Sequence, residues 1–336
     1  MGYLLAVSRP KRNRPFTKAA TACLLLIVSF GWTAWAEAAA CSSNDYEFTT
    51  QAEVDALGAT GCDSISGYLR IKTSTDITNL DGLASIASVG GDLIIENNAA
   101  LSNLNGLANI TSVGGDLFIG DNGELTNLDG LVNIASIGGV LYIYRNAALS
   151  NLDGLANLTS VGSLIIQNNV ALSNLNGLAN LTGVGSLSIQ NNAVLTNIDS
   201  LANITSIGGD LDIYGNNVLI DLDGLANLIS VGGILRISLN LALTNLDGLA
   251  NLTSVGGVLS IFDNDVLARC ESVALLLGWP DGPPKDNVAG DILISNNGTG
   301  CNSIAEVLAS YLPSTQARFN ALLQSVQAAR GIDGNP

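Results

Sequence analysis

The sequence predicts a mainly β protein, a parallel solenoid built from stacked coils of about 24 residues. Three observations predict it. First, the anchor NLDGL or a close relative begins at Asn79, Asn103, Asn127, Asn151, Asn174, Asn197, Asp221 and Asn245, in steps of 24, 24, 24, 23, 23, 24 and 24 residues. The two short steps share a cause, since a VGS corner at Val161 and Val184 replaces the four-residue VGGD type. Second, each repeat carries an L-x-I pair, such as Leu117/Ile119 or Leu211/Ile213, with the two-residue period of a strand that buries one face. Third, Gly and Asn recur in fixed slots between the apolar ones, which suits short extended pieces joined by bends. One coil cannot bury its own Leu, Ile and Val residues, so stability must come from neighbouring coils.

The local punctuation follows from the same pattern. Gly in NLDGL and at the VGG corner is expected where the chain turns sharply, with positive φ as one reason. Ser200 in the first of these slots shows that positive φ there is not obligatory. The Asp of the anchor (Asp81, Asp129, Asp153, Asp199, Asp223, Asp247) is expected to cap the bend, with Asn105 and Asn176 substituting for it. An Asn closes each strand phrase from Asn98 to Asn297, where stacked amides can satisfy corner backbone groups and one another.

The ends depart from the repeat. Residues 1–40 read as a signal peptide: Arg9, Lys11, Arg12, Arg14 and Lys18 precede an apolar run, with small-residue cleavage sites after residues 36 and 40. The alternative is an uncleaved membrane anchor, since the run is nearly of spanning length. Residues 41–301 form the solenoid, and residues 302–336 a C-terminal helical segment opened by Ser303 and Glu306 and interrupted at Pro313. Thr50 and Glu53 have capping-box spacing at the start of a short helix that stops at Gly58. Near the other end, DVLARCESVALLLGW reads as helical, and GDILISNN adds a further coil.

Cysteines and charge narrow the function. Cys41, Cys62, Cys270 and Cys301 bracket the repeats, and an even count in an exported chain implies disulfides. Local pairing, Cys41–Cys62 and Cys270–Cys301, is favoured among three connectivities. Residues 1–40 hold five of the 13 basic and one of the 29 acidic residues, leaving 8 basic and 28 acidic residues in the exported chain. So acidic a molecule is a poor partner for nucleic acid, and membrane contact is expected only through the N-terminal segment if it is kept.

The plan of a Cys-flanked helix, a G-x-L-x-I strand, and repeats of the form L-x-x-L-x-G-L-x-N-L-x-S-V-G-G-x-L-x-I-x-x-N resembles the receptor L domain over roughly residues 41–303. That module occurs in insulin- and epidermal-growth-factor-receptor ectodomains and in fungal cell-surface proteins, and secreted bacterial repeat proteins look similar. The resemblance implies a right-handed β-helix of leucine-rich-repeat character with a disulfide at each end. An ordinary leucine-rich-repeat horseshoe is the alternative. The chain is more regular than the receptors and has no cysteine-rich module or kinase, so receptor ligand-binding residues are not carried over.

Catalysis finds no support in the residues. The chain has no His, and the four cysteines outside residues 1–40 are expected to pair, so no catalytic residue is assigned and no metal or cofactor is required. A carbohydrate-active β-helix enzyme is the minor alternative, and calcium on the Asp81-to-Asp247 column is the alternative for a cofactor. Six Asn-x-Thr sequons, Asn109, Asn157, Asn180, Asn203, Asn251 and Asn297, mostly share one repeat slot and read as a structural Asn column.

The leading reading is a secreted or cell-surface (or periplasmic) recognition or adhesion protein that binds a glycan or protein ligand. A structural envelope scaffold is the alternative. In the L-x-I phrase the residue between Leu and Ile, and the one after, point outward. These two columns vary from coil to coil while other slots stay nearly constant. They contain Ile94, Phe118, Tyr142, Ile165, Ser188, Asp212 and Arg236 in one and Glu96, Gly120, Tyr144, Gln167, Gln190 and Tyr214 in the other. The expected binding face is Ile94, Phe118, Tyr142, Tyr144, Ile165, Gln167 and Tyr214, with Gly120 leaving space beside Tyr144.

Overall fold

The L-x-I pairs and the Ser-Val pairs each form their own ladder of parallel strands. In the computed structural model, which describes residues 41, 43–274, 276–277 and 287–309, seventeen strands join one parallel sheet system. The register is that of the repeat: Leu93, Leu117 and Leu141 pair across consecutive coils, as do Ile95, Ile119 and Ile143. The shorter ladder pairs Ser88–Val89 with Ser112–Val113 and, later, Ser206–Ile207 with Ser230–Val231. Two strands per coil, merged into one at Ser136–Tyr144, Ser160–Gln167 and Gly183–Gln190, make this a parallel β-solenoid.

Inside the coils, Leu101, Leu104, Leu107, Ile110, Leu117 and Ile119 are all fully buried, and their equivalents stack in columns through the described repeats. The anchor bend is a single 3-10 turn, Asp81–Leu83 in the first repeat and Asp247–Leu249 in the last. Its glycine serves close approach, not positive φ. A methyl group at Gly106 or Gly154 would collide with the backbone carbonyl of Leu80 or Leu128 in the preceding coil. Ser200, in the same slot, turns its hydroxyl into a donor to the Leu175 carbonyl at 2.7 Å. The VGG corner follows the same logic, since a Cβ at Gly114 would meet the Gly90 carbonyl.

Positive φ falls one residue before each ladder Asn instead. Asn97, Asp121, Asn168 and Asn191 sit there at 57°, 53°, 58° and 53°. So do Arg145 and Leu239, at 52° and 57°, and Thr73, at 56°, precedes Ser74 in the equivalent place; none of the three has local side-chain compensation of the Asn/Asp kind. Arg145 is exposed. Arg145→Gly is therefore expected to stabilise the fold by about 0.5–1 kcal/mol, the left-handed strain relieved less the extra unfolded-chain freedom of Gly. Urea titration checks this, and a loss of stability would contradict it.

The Asn column is a continuous hydrogen-bonded ladder. Asn122 Oδ1 accepts the backbone N–H of Asn98 at 3.1 Å, and Asn98 Nδ2 donates to the Ile71 carbonyl at 2.9 Å. The same pair of contacts repeats through Asn146, Asn169, Asn192, Asn216, Asn240 and Asn264 to Asn297. All but the last are buried.

The ends are partly as expected. Gln51–Gly58 is a helix with a full capping box from Thr50 and Glu53. Backbone hydrogen bonding, first from Thr49, holds the Glu53 carboxyl below its usual range. The helix lies on the first 3-10 turn, where Gly82 leaves room for the Val54 carbonyl. A strand before it, Tyr46–Phe48, pairs with Leu69–Ile71 and lengthens the sheet. Disulfides join Cys41 to Cys62 and Cys270 to Cys301.

The helical reading of DVLARCESVALLLGW is corrected. Its described part is another coil, with Glu271–Val273 as the 3-10 turn and Leu267, Cys270 and Val273 in the slots of Leu243, Leu246 and Leu249. A spacing of three fits a helix and this bend equally well, and stacking on the preceding coil decides it. Ile292–Ser295 then pairs in parallel with Leu259–Phe262 as the added coil. Helix begins at residue 304, with Ser303 Oγ accepting the Glu306 N–H at 3.2 Å. The expected signal peptide and the segment around Pro313 lie outside the described residues.

Candidate functional site

The two outward columns are placed in register by the longer ladder. Arg70, Ile94, Phe118, Tyr142, Ile165, Ser188, Asp212 and Arg236 succeed one another on adjacent coils. Lys72, Glu96, Gly120, Tyr144, Gln167, Gln190 and Tyr214 do the same beside them. Parallel pairing sets neighbouring coils about 4.8 Å apart, so each column is a row of side chains in lateral contact.

The N-terminal half of this face is aromatic. Phe118 meets Tyr142 edge-on with ring centroids 6.0 Å apart, and Tyr142 meets Tyr144 at 4.4 Å. Tyr142 donates its hydroxyl to Gln167 Oε1 at 2.6 Å. Tyr144 reaches across a coil to donate to Glu96 Oε1 at 2.8 Å. Its ring occupies the space that a side chain at position 120 would need. Gly120 therefore makes room under Tyr144, and the tyrosine lies along the sheet rather than standing out from it. Burial is the first cause that raises the pKa of both phenols, with Glu96 adding to the rise at Tyr144.

Six of the seven expected face residues, Phe118, Tyr142, Tyr144, Ile165, Gln167 and Tyr214, are partly exposed. Ile94 is not, with 5 % of its surface exposed, and it is part of the packed floor. Column order explains this, since the longer Arg70 and Phe118 flank it. Phe118, Tyr142, Tyr144 and Gln167 form one contiguous cluster; Tyr214 stands apart, three coils beyond Tyr144.

Sequence reasoning missed the polar half as a unit. Gln190 Nε2 donates to Ser188 Oγ at 2.8 Å and to Asp212 Oδ2 at 3.0 Å, and Arg236 Nη1 donates to the same Asp212 oxygen at 3.3 Å. Burial pushes the Asp212 carboxyl up, against the opposing pull of Arg236 and of the Gln190 hydrogen bond. Adjacent opposite charges in one outward column were the available signal.

The other candidate columns lie at the bends of the coil. In the anchor, the capping acceptor is the residue two before the expected Asp: Asn79 Oδ1 accepts the Asp81 N–H at 3.1 Å, and Asn127 and Asn151 repeat the contact for Asp129 and Asp153. Asp223 has its carboxyl raised, first by desolvation and then by Asp221, Asp199 and Asp247. Asp247 instead binds Arg269 at 2.6 Å and accepts from Ser272 at 2.8 Å. Among the described residues, no group of three or more His, Cys, Asp or Glu side chains is placed to share a metal ion. The sequon residues Asn109, Asn157, Asn180, Asn203 and Asn251 donate Nδ2 to a carbonyl of the preceding coil at 2.6–2.8 Å. A second cap was not foreseen: Asp92 and Asp116 at the corner accept N–H groups of Asp116 and Val140 at 3.0 and 2.8 Å.

The described chain is a parallel β-solenoid with a disulfide near each end, and part of it is similar to the receptor L domain. Residues 61–125 match the family model of the receptor L domain. The receptor L domain is a ligand-binding module, and that match with the two disulfides fits an extracellular or cell-surface location. No curated protein matches the chain. Among the described residues, no helix is long and apolar enough to cross a membrane.

Proposed function

We infer that this is a secreted or surface-displayed recognition protein that binds a glycan or protein ligand through the strand face. One observation carries the reading: the side chains that point out from the L-x-I strands differ widely from coil to coil, and among them Phe118, Tyr142 and Tyr144 pack into one cluster. A partly exposed group of rings on a rigid sheet offers apolar area at little cost in conformational entropy, as recognition surfaces require. In this reading residues 1–40 are a removed signal peptide, residues 41–301 the recognition domain and residues 302–336 a helical appendage. A scaffold role uses the same solenoid but gives no reason for the ring cluster.

Tyr142→Ala and Phe118→Ala test the reading on the exported chain. Loss of ligand binding with little change in melting supports recognition. A clear fall in melting temperature with unchanged binding assigns the cluster to packing alone. Tyr144→Ala is the weaker probe, since it also uncovers Gly120 and breaks the Glu96 contact.

Recognition in this reading needs no cofactor. Exposed single carboxylates spaced by whole coils make a poor calcium cage, so calcium is expected to raise the melting temperature only slightly. A large saturable shift at micromolar calcium would overturn that.

A further inference from the structure

We propose that the C-terminal half of the strand face, built on Ser188, Gln190, Asp212, Tyr214, Arg236 and Ser238, is a subsite for the hydroxyl groups of a neutral saccharide. The proposal rests on the strand-face reading and gives its ligand a chemical class.

Four buried side-chain polar atoms among the described residues have no hydrogen-bond partner: Arg70 Nε, Asn98 Oδ1, Asp212 Oδ1 and Ser238 Oγ. Asn98 begins the Asn ladder, but the other three lie in the outward columns. Two of them, Asp212 and Ser238, sit on adjacent coils of this half, and Ser238 is fully buried. An unpaired buried polar group costs free energy that packing alone does not return. Among the described residues, the other outward slots carry no such unpaired atom except Arg70, whose guanidinium lies over the Tyr68 ring at 4.1 Å.

The groups around these atoms suit a polyol. Asp212 uses only Oδ2 for Gln190 and Arg236, so its second oxygen is an unused acceptor. Ser188 Oγ accepts from Gln190, which leaves its own proton to donate. A sugar hydroxyl is donor and acceptor at once, so it matches such a mixed set. Charge argues against the rival ligands. Arg236 already neutralises Asp212 and opposes a cationic side chain, while Asp210 and the acidic balance of the chain oppose an anion. Tyr214 follows Asp212 by two on one strand and shares its face, about 7 Å along. It places a ring beside the polar groups, where the C–H face of a sugar can stack.

The test uses the exported chain on an array of neutral oligosaccharides of glucose, galactose and mannose, with uronic-acid oligosaccharides and extracellular proteins as rival arms. The expected result is saturable binding to a neutral oligosaccharide. Asp212→Ala should weaken it by about tenfold or more, as loss of a charged hydrogen-bond partner does, and Tyr214→Ala should also weaken it, both without a fall in melting temperature. Binding only to uronic-acid probes overturns the proposal, and so does neutral-saccharide binding indifferent to both substitutions. If a purified protein binds, and binding is lost in Phe118→Ala while no saccharide is held, the strand-face reading stands and the subsite fails. If saccharide binding survives Phe118→Ala, Tyr142→Ala and Asp212→Ala alike, both fail.

Discussion

Asn169→Ala is expected to lower stability by about 3–5 kcal/mol, the sum of several buried hydrogen bonds left without partners. Asn169 Oδ1 accepts the backbone N–H of Asn146 at 3.1 Å and its Nδ2 at 3.4 Å. Its own Nδ2 donates to the Ile143 carbonyl at 3.0 Å and the Gln167 carbonyl at 3.2 Å. The site is fully buried, so water cannot replace these partners without opening the corner. The break also splits the ladder into two runs, which links local loss to both neighbouring coils. The exposed column supplies the control. Asn180 makes one contact, to the Ala156 carbonyl at 2.7 Å, at the surface. Asn180→Ala should cost about 1 kcal/mol or less. Denaturant titration separates the two, and equal effects would show that the buried ladder is not the main support of the corner.

Replacing Cys270 and Cys301 together by Ala is expected to cost about 3–4 kcal/mol, from closure of a loop of the 31-residue separation. The effect should be local. Cys270 is buried in the core slot that Leu246 fills one coil earlier, and Cys301 is buried beside it. Stability in a solenoid is a sum over neighbouring coils, so loss of an end cap frays the end before the middle. Hydrogen exchange should show the Leu259–Phe262 and Ile292–Ser295 strands losing protection while Ser136–Tyr144 and Ser160–Gln167 keep theirs. Uniform loss across all strands, or none, would contradict the end-cap role.

Much of this architecture is legible in the sequence because the repeat supplies its own alignment. Step lengths give the coil, L-x-I gives which side chains face out, and the recurrent Asn gives the ladder. Details set by contacts between coils are not legible. Gly106 and Gly154 look like positive-φ glycines until the carbonyls of Leu80 and Leu128 are seen against them. Asp81 looks like the cap because Asx residues at either position suit a turn, yet Asn79 makes the bond. Leu267, Cys270 and Val273 suit a helix by spacing alone, yet they repeat the three-residue spacing of every anchor and form a further coil. At the face, register predicts direction but not exposure: Ile94 points out and is still buried, because its neighbours are longer. The pairing of Gln190, Asp212 and Arg236 needed the register and the side-chain geometry together.

The most direct measurement is saturable binding of the purified chain to an array of glycans and extracellular proteins, run beside its Phe118→Ala and Tyr142→Ala variants. The account predicts a saturable ligand for the parent chain, lost or greatly weakened in both variants, with melting nearly unchanged. No saturable ligand, turnover of an arrayed glycan, or binding untouched by either substitution would contradict it.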